Sequence, residues 1–379
     1  MENNPIVIFR TTDICNLNCT YCYDKKNRKE KKNINEEFEH QIDKIKEYLD
    51  KIYYLKNKSC TFIFHGGEPL ILKPEVYEKL IEKIDRKNIR LSMQTNGTLI
   101  NNEYIKLFKK YNISIGISLD GCNEEQNYCR IYRNGKNSFN KVMSNIELLK
   151  KNNIHFGIIM TITKRHIGKE KMIYDFIASN NLNVNIRPAF PTMEADNDNI
   201  MTEDEYFEFF KNMFNIWYND KSKRVKLKQI REIYDEFAKV LEEKYCSGLC
   251  SEGENCFGKF ISLNINGDIY SCNRTYNNEI FFLGNLNKQT IDEILNNANK
   301  LNEKRKKKIQ ESGCSECEIY KYCYGGCPAN AHSMYNDYTM PEKIFCNSKK
   351  KILKYIKFKL EETDEINKYN KERILKSKN

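Results

Sequence analysis

The sequence predicts an α/β fold, a partial (β/α)6 barrel of the TIM type. Three observations predict it. Six short apolar runs alternate with longer segments whose apolar residues recur at helical spacing. The apolar runs give way to Gly-, Asn- and Asp-bearing turns, as strands do before a helix. The residues that bear chemistry fall at those turns, the C-terminal strand ends where such barrels carry their sites.

Taken in order, strands are expected at 5–10, 60–65, 89–94, 113–119, 154–163 and 182–187. Helices are expected between them at 35–55, 74–85, 101–111, 138–151 and 168–180. A helical pattern then runs from 202 to 245, rich in Phe and Tyr and containing Trp217, the only tryptophan. Aromatics at helical spacing read as packing. Residues 260–265 and 268–272 flank Asn266-Gly267, the pattern of a β-hairpin. No internal repeat and no low-complexity linker interrupts the chain.

Composition sets outer limits. A chain of 379 residues with 40% hydrophobic and 30% charged content is globular and long enough for two domains. No apolar run reaches the length of a spanning helix. Met-Glu-Asn-Asn-Pro at the start has neither a basic nor an apolar region of a signal peptide, so a cytoplasmic location is expected. Fifteen cysteines in that setting point to thiolate ligands, not disulfides. The net charge of +11 is concentrated in 304–308 and from 349 onward, and such runs read as solvated helix faces. The lysine runs lack the interleaved aromatics of a base-stacking surface, so nucleic acid is not the expected partner. The segment beyond Lys351 is expected to be helical and loosely held.

The richest stretch follows the first strand. Cys15, Cys19 and Cys22 form a C-x3-C-x2-C spacing. Three thiolates reach three corners of a cubane cluster and leave one iron open to a small molecule. A closed zinc site wants four ligands, usually in two separated pairs. The second strand ends in His65-Gly66-Gly67-Glu68-Pro69, the third in Gln94-Thr95-Asn96-Gly97 and the fourth in Ser118-Leu119-Asp120-Gly121. Taken alone, the last two are also common turn dipeptides. In the last third, Cys314, Cys317, Cys323 and Cys327 follow C-x2-C-x5-C-x3-C, with Cys250, Cys256 and Cys272 upstream and Cys346 downstream.

The Cys15–Cys22 stretch, with Tyr21 as its aromatic, resembles the CxxxCxΦC signature of radical S-adenosylmethionine (SAM) enzymes. The C-terminal cysteines resemble the SPASM domain, whose C-x9–15-G-x4-C spacing is met from Cys256 through Gly267 to Cys272. This resemblance implies a partial barrel at 1–235, a SPASM domain holding two auxiliary iron–sulfur clusters at 236–350, and a basic helix or tail at 351–379. It implies a SAM-binding cluster on Cys15, Cys19 and Cys22. Auxiliary cluster I would take Cys250, Cys256, Cys272 and Cys327, with Cys246 competing for the place of Cys250. Auxiliary cluster II would take Cys314, Cys317, Cys323 and Cys346. Contacts to SAM would come from Tyr21, Gly66, Gly67, Glu68, Thr95, Asn96, Ser118, Asp120 and Arg133, with Arg130 able to replace Arg133. His65 reads either as substrate-facing or as a satisfied core residue.

The cofactors implied are three 4Fe–4S clusters and SAM. The activity implied is reductive cleavage of SAM to a 5′-deoxyadenosyl radical, which oxidises a peptide or protein. A flavodoxin- or ferredoxin-type protein would supply the electron. The preferred reading is maturation of a ribosomally made peptide by a thioether, a carbon crosslink or an epimerised centre. A separate leader-binding domain before the barrel is not expected, because strand one starts near residue 5. The alternative is an anaerobic sulfatase-maturating enzyme, which converts Cys or Ser to formylglycine. Those enzymes carry an Asp, proposed as the base, directly after the G-x4-C cysteine. Asn273 stands there, and an amide accepts no proton at neutral pH. An RNA-modifying radical SAM enzyme is the minor alternative, and a pure electron carrier leaves the open cluster without a purpose.

Overall fold

A computed structural model describes residues 6–28, 33–54, 60–84, 89–191, 198–222, 224–242 and 255–362. Its strands are β1 (Ile6–Thr12), β2 (Cys60–Gly66), β3 (Ile89–Thr95), β4 (Ser114–Ser118), β5 (Phe156–Ile162), β6 (Val184–Pro188), β7 (Phe260–Asn264), β8 (Asp268–Tyr270) and β9 (Phe282–Asn285). Between the first six lie α1 (Ile34–Tyr54), α2 (Pro74–Lys83), α3 (Asn102–Tyr111), α4 (Phe139–Lys151) and α5 (Glu170–Asn180). All run close to the expected spans.

The strands form one nine-stranded sheet in the order β6-β5-β4-β3-β2-β1-β7-β8-β9. Strands β1 to β6 pair in parallel, each with its sequence neighbour. Alternation along each strand sorts the side chains. Val7, Phe9, Phe62, Phe64, Met93, Ile117, Ile158 and Met160 are buried under the helices. The opposite set, including Ile63, His65, Gln94, Ser118 and Thr161, is half-buried and lines the barrel interior. Polar residues in that set cluster at the C-terminal ends.

Three features differ from the sequence expectation. The β7–β8 hairpin is present, but β7 also pairs in parallel with β1, Ile6 opposite Phe260 through Arg10 opposite Asn264. The hairpin is therefore docked on the barrel's own sheet. The 202–245 pattern is not one helix: α6 (Glu203–Asn219) and α7 (Arg231–Glu242) are separated where the Asp220 carboxylate accepts the backbone N–H groups of Ser222 and Arg224. Such Asx turns compete with helix continuation. The aromatics do pack as expected, Trp217 being buried against Phe214 and Phe237.

After α8 (Ile291–Glu311), α9 (Tyr320–Cys323) and α10 (Pro328–Tyr335), the chain ends its described part in α11 (Cys346–Glu362). This helix is not loosely held. Ile352, Leu353, Ile356 and Leu360 are buried, and Ser348 Oγ donates to Glu203 O at 2.7 Å. Residues 363–379 lie outside the described residues. Among the described residues, no helix is long and apolar enough to cross a membrane.

Candidate active site

The cysteine loop leaves β1 through a bulge between Arg10 and Thr12. It is seated on the end of β2 by backbone bonds from Gly67 N to Thr12 O at 2.7 Å and from Glu68 N to Ile14 O at 2.8 Å. Both glycines are required by this approach. A Cβ on Gly66, at φ +127, would lie 2.3 Å from Thr12 O, and one on Gly67 would lie 2.2 Å from Ile14 O. The glycines thus serve contact with the loop backbone.

Cys15 and Cys19 are buried around Leu17, with Cys22 half-buried beside them and Tyr132 packed on the group. Asn18 N donates to Ile131 O at 2.7 Å, and Thr20 N to Cys129 O at 3.1 Å. A side-chain chain then ties the loop to the end of β3: Asn96 Nδ2 donates to Asn16 Oδ1, and Asn16 Nδ2 to Thr98 Oγ1, each at 2.8 Å. Asn96 Nδ2 also approaches Cys15 Sγ at 3.9 Å. Arg28 donates to Leu17 O at 2.6 Å and to Cys22 Sγ at 3.0 Å. Asn16, Arg28 and Thr98 carried no sequence signal of their own.

These residues fit an iron–sulfur cluster. Burial pushes the Cys15 thiol up to about 11, Glu68 adding to it, and the Cys19 thiol up to about 12. Soft donors in a dry patch with N–H groups aimed at sulfur are what cluster thiolates need. Among the described residues, no three His, Cys, Asp or Glu side chains converge as they would on a single metal ion. Cubane corners lie farther apart than the ligands of one ion.

The residues expected around SAM fall into two groups. Glu68 is fully buried, accepting from Thr95 Oγ1 at 2.6 Å, Asn96 N at 2.7 Å and Leu70 N at 3.0 Å. Burial raises its carboxyl to about 7 against those three bonds. Asp120 is likewise buried, accepting from Thr161 N at 2.9 Å and the Tyr21 hydroxyl and ion-paired with Arg130, whose Nε is 3.0 Å away. Ser118, by contrast, sits half-buried on the barrel interior, receiving Gln94 Nε2 at 3.2 Å. Of the two arginines, Arg133 is exposed on the turn at 132–136, whereas Arg130 is buried against Asp120 with its cation 5.5 Å from the Tyr21 ring centre. The structure therefore places the second-named arginine, Arg130, at the loop.

His65 faces the barrel interior. Its Nδ1 accepts Gly66 N–H at 2.8 Å, and burial, with Arg10 next, lowers its pKa to about 4. Beside it lies Asn273, whose Oδ1 accepts from Arg10 Nη1 at 3.0 Å and whose Nδ2 donates to the Tyr23 hydroxyl at 2.7 Å. Asn273 Nδ2 is also 3.4 Å from His65 Nδ1. Arg10 is buried, bound to Asp13 and Asp24 at 2.9 Å each, and lies 3.8 Å over the Tyr276 ring. Burial works against the Arg10 charge, but the two carboxylates hold its pKa above the usual value.

The later cysteines gather in two places. Cys272 is half-buried, and after desolvation it is Cys327 that most raises its thiol. Arg274 approaches both, its N–H 3.4 Å from Cys272 Sγ and its Nη1 4.0 Å from Cys327 Sγ. Burial raises the thiol pKa of Cys346, at the start of α11, with Lys350 opposing and Cys317 and Cys314 adding to the rise, and Cys317 and Cys346 in turn raise that of Lys350. Arg305, inside the basic run read as solvent-facing, is in fact buried. It donates to Gly325 O at 2.9 Å, Gly326 O at 3.1 Å and Met340 O at 2.8 Å, which shapes the loop between Cys323 and Cys327. Cys256 and Cys323 are half-buried. Cys246 and Cys250 lie outside the described residues.

The model of the radical SAM superfamily matches residues 9–177. The chain belongs to the radical SAM superfamily. A second model, the SPASM iron–sulfur cluster-binding domain, matches residues 255–318. This radical SAM enzyme accordingly has SAM and iron–sulfur clusters as its cofactors. It is 28% identical over 366 residues to the cysteine-type anaerobic sulfatase-maturating enzyme of Clostridium novyi, covering 92% of this chain and 94% of that one. It is 26% identical to the serine-type anaerobic sulfatase-maturating enzyme of Klebsiella aerogenes, covering 85% and 79%. Among solved structures, native anSMEcpe with bound AdoMet superposes with a TM-score of 0.78 at 26% identity, covering 97% of this chain and all of that one. Streptococcus suis SuiB bound to its precursor peptide SuiA has the same fold, with a TM-score of 0.62 at 16% identity over 90% and 76% of the chains.

Proposed function

We propose that this radical SAM enzyme oxidises one residue of a peptide or protein held between the barrel mouth and the turn that carries Cys272. One observation carries the reading. The residue after Cys22 and the residue after Cys272 are joined by the 2.7 Å bond from Asn273 Nδ2 to the Tyr23 hydroxyl. A substrate beside that bond lies between the loop where the radical forms and the turn of an auxiliary cluster. Oxidation of an unactivated C–H bond needs both. When bound, the first cluster supplies the electron that cleaves SAM to methionine and the 5′-deoxyadenosyl radical.

The assignments that follow are part of the proposal. Cys15, Cys19 and Cys22 hold the SAM cluster, with Arg28 and Asn96 donating toward its sulfurs. Cys256, Cys272 and Cys327 hold auxiliary cluster I, completed by Cys250 or Cys246. Cys314, Cys317, Cys323 and Cys346 hold auxiliary cluster II. Ser118 faces SAM, while Glu68, Thr95, Asp120 and Arg130 act from behind as ties that fix the strand ends and Tyr21. The working division of the chain is 1–235, 236–350 and 351–379. The electron donor is a flavodoxin- or ferredoxin-type protein in a reducing cytosol, for which exposed Lys25 and Lys26 near Cys22 offer a basic rim.

The relatives aligned over nine-tenths of this chain favour conversion of a sulfatase-type cysteine to formylglycine. Asn273 favours the second reading, a crosslink or epimer in a ribosomally made peptide, because no carboxylate stands after Cys272. The test uses anaerobically reconstituted enzyme, a strong reductant, SAM and a Cys-x-Pro-x-Arg peptide, followed by mass spectrometry. Formylglycine supports the first reading. 5′-Deoxyadenosine beside an unchanged peptide removes it and leaves the second.

A further inference from the structure

Asn330 stands apart from the other buried polar side chains. It is 1% exposed, yet neither its Nδ2 nor its Oδ1 has a hydrogen-bond partner. Among the described residues no other side chain has two such atoms. Burying an amide without partners is costly, so the group calls for an acceptor or donor close by.

The helix around it is firmly held. Ala331 N donates to Cys327 O at 3.0 Å, and Pro328, Ala329, Ala331 and His332 are buried beside it. The loop that leads into α10 is pinned as well. Glu342 N donates to Gly325 O at 2.8 Å, alongside the Arg305 bonds to the same loop. A Cβ on Gly325 would lie 2.4 Å from Ile309 Cδ1, which leaves that loop no room to shift. Asn330 therefore does not swing out to water.

Helix geometry gives the direction of the amide. Cys327 is the N-cap of α10 and Pro328 its first residue, which makes Asn330 the third helical residue. Each Cα–Cβ bond tilts toward the helix N-terminus, and in a capping box the side chain at this place turns back on the N-cap residue. Side chains three apart on a helix lie about 5–6 Å from one another at Cβ. The amide is thus within reach of Cys327, whose Sγ is 4.0 Å from Arg274 Nη1.

We propose that Asn330 donates from Nδ2 to a sulfur of auxiliary cluster I at the Cys327 corner and raises the midpoint potential of that cluster. The inference rests on the assignment of Cys327 to auxiliary cluster I made above. Reduction adds negative charge, so a donor to sulfur stabilises the reduced state over the oxidised one. Cys272 has a donor of its own in the Arg274 N–H at 3.4 Å. Asn330 adds a second donor at the opposite end of the ligand set and makes this cluster a readier electron acceptor.

The experiment uses the loaded, full-length enzyme. Potentiometric titration followed by electron paramagnetic resonance gives the midpoint of each cluster, with iron content as the control for loading. Cys327→Ser should move or remove one midpoint, which identifies auxiliary cluster I. Asn330→Leu, close in volume but without a donor, should lower that same midpoint by about 60 mV, a tenfold change in a one-electron equilibrium, and leave the others in place. Wild type labelled with nitrogen-15 only at asparagine side-chain amides should show a nitrogen-15 hyperfine coupling on the cluster I signal. The inference is overturned if that coupling is missing, or if Asn330→Leu loads fully and leaves the cluster I midpoint where it was. The coupling stands as a test even if the variant fails to load. Should Cys327→Ser move no midpoint, Cys327 is not a ligand, and the cluster assignment falls together with this inference.

Discussion

Tyr23 and Asn273 are 250 residues apart in sequence and are joined by a single 2.7 Å hydrogen bond, each directly following a cysteine. The bond links the loop of Cys15, Cys19 and Cys22 to the turn after β8 that carries Cys272. It exists because β7 docks on β1, which brings the hairpin's far end over the barrel mouth. Tyr23→Phe removes the acceptor and leaves the Asn273 amide held at its carbonyl end by Arg10 but without its partner across the two segments. Product formed per 5′-deoxyadenosine should fall at least severalfold, while SAM cleavage persists. Quantifying both species in the same reaction checks this, and an unchanged ratio would mean the bond does not position the substrate.

Gly67→Ala puts a methyl group 2.2 Å from Ile14 O, and neither backbone can retreat without moving the cysteine loop. A buried overlap of this kind costs about 1–3 kcal/mol. The variant should bind about four fewer irons than wild type, the SAM cluster being lost first. Iron analysis after anaerobic reconstitution reads it directly. Full iron content would show that the loop can be re-seated.

Arg28 places a cation 3.0 Å from Cys22 Sγ. Charge-assisted bonds are the strong ones, and a donor to a cluster sulfur favours the reduced state, which carries more negative charge. Arg28→Ala should lower the potential of the SAM cluster by roughly 60 mV or more, the one-electron equivalent of a tenfold change. Arg28→Lys should recover part of it. Potentiometric titration followed by electron paramagnetic resonance separates this cluster from the auxiliary pair.

Much of this architecture was legible because it is local. Alternating apolar runs, turn residues and short cysteine spacings each involve neighbours in sequence, and they marked the barrel strands and the loop. What escaped notice depends on partners far away. The parallel pairing of β7 with β1, the hold of Arg28 on Cys22 and the burial of Arg305 under the Gly325-Gly326 loop all arise only when distant segments meet. A lysine-rich helix with one buried arginine looks the same in sequence as one without. Arg130 and Arg133 are three residues apart and chemically equal, so only the fold chooses between them.

Glu68 has a pH signature. Its carboxyl is raised to about 7 by burial, from an ordinary value near 4.5. The folded state therefore keeps a proton that the unfolded chain releases. Its contribution is fully present below about pH 4.5 and is lost as pH rises through 7, a change of roughly 3 kcal/mol. Glu68→Gln has no proton to lose. Anaerobic melts from pH 5 to 8 should show wild-type Tm falling relative to the variant as pH rises, and parallel curves would place Glu68 in a wetter setting.

The most direct test of the central claim removes the three cysteines of the first loop together. Cys15→Ala/Cys19→Ala/Cys22→Ala should retain about eight of roughly twelve irons, because the auxiliary clusters have their own ligands. With SAM and a strong reductant it should form no 5′-deoxyadenosine. That pairing of retained iron with lost cleavage is the predicted result. Continued formation of 5′-deoxyadenosine by the triple variant would contradict the assignment of SAM chemistry to this loop.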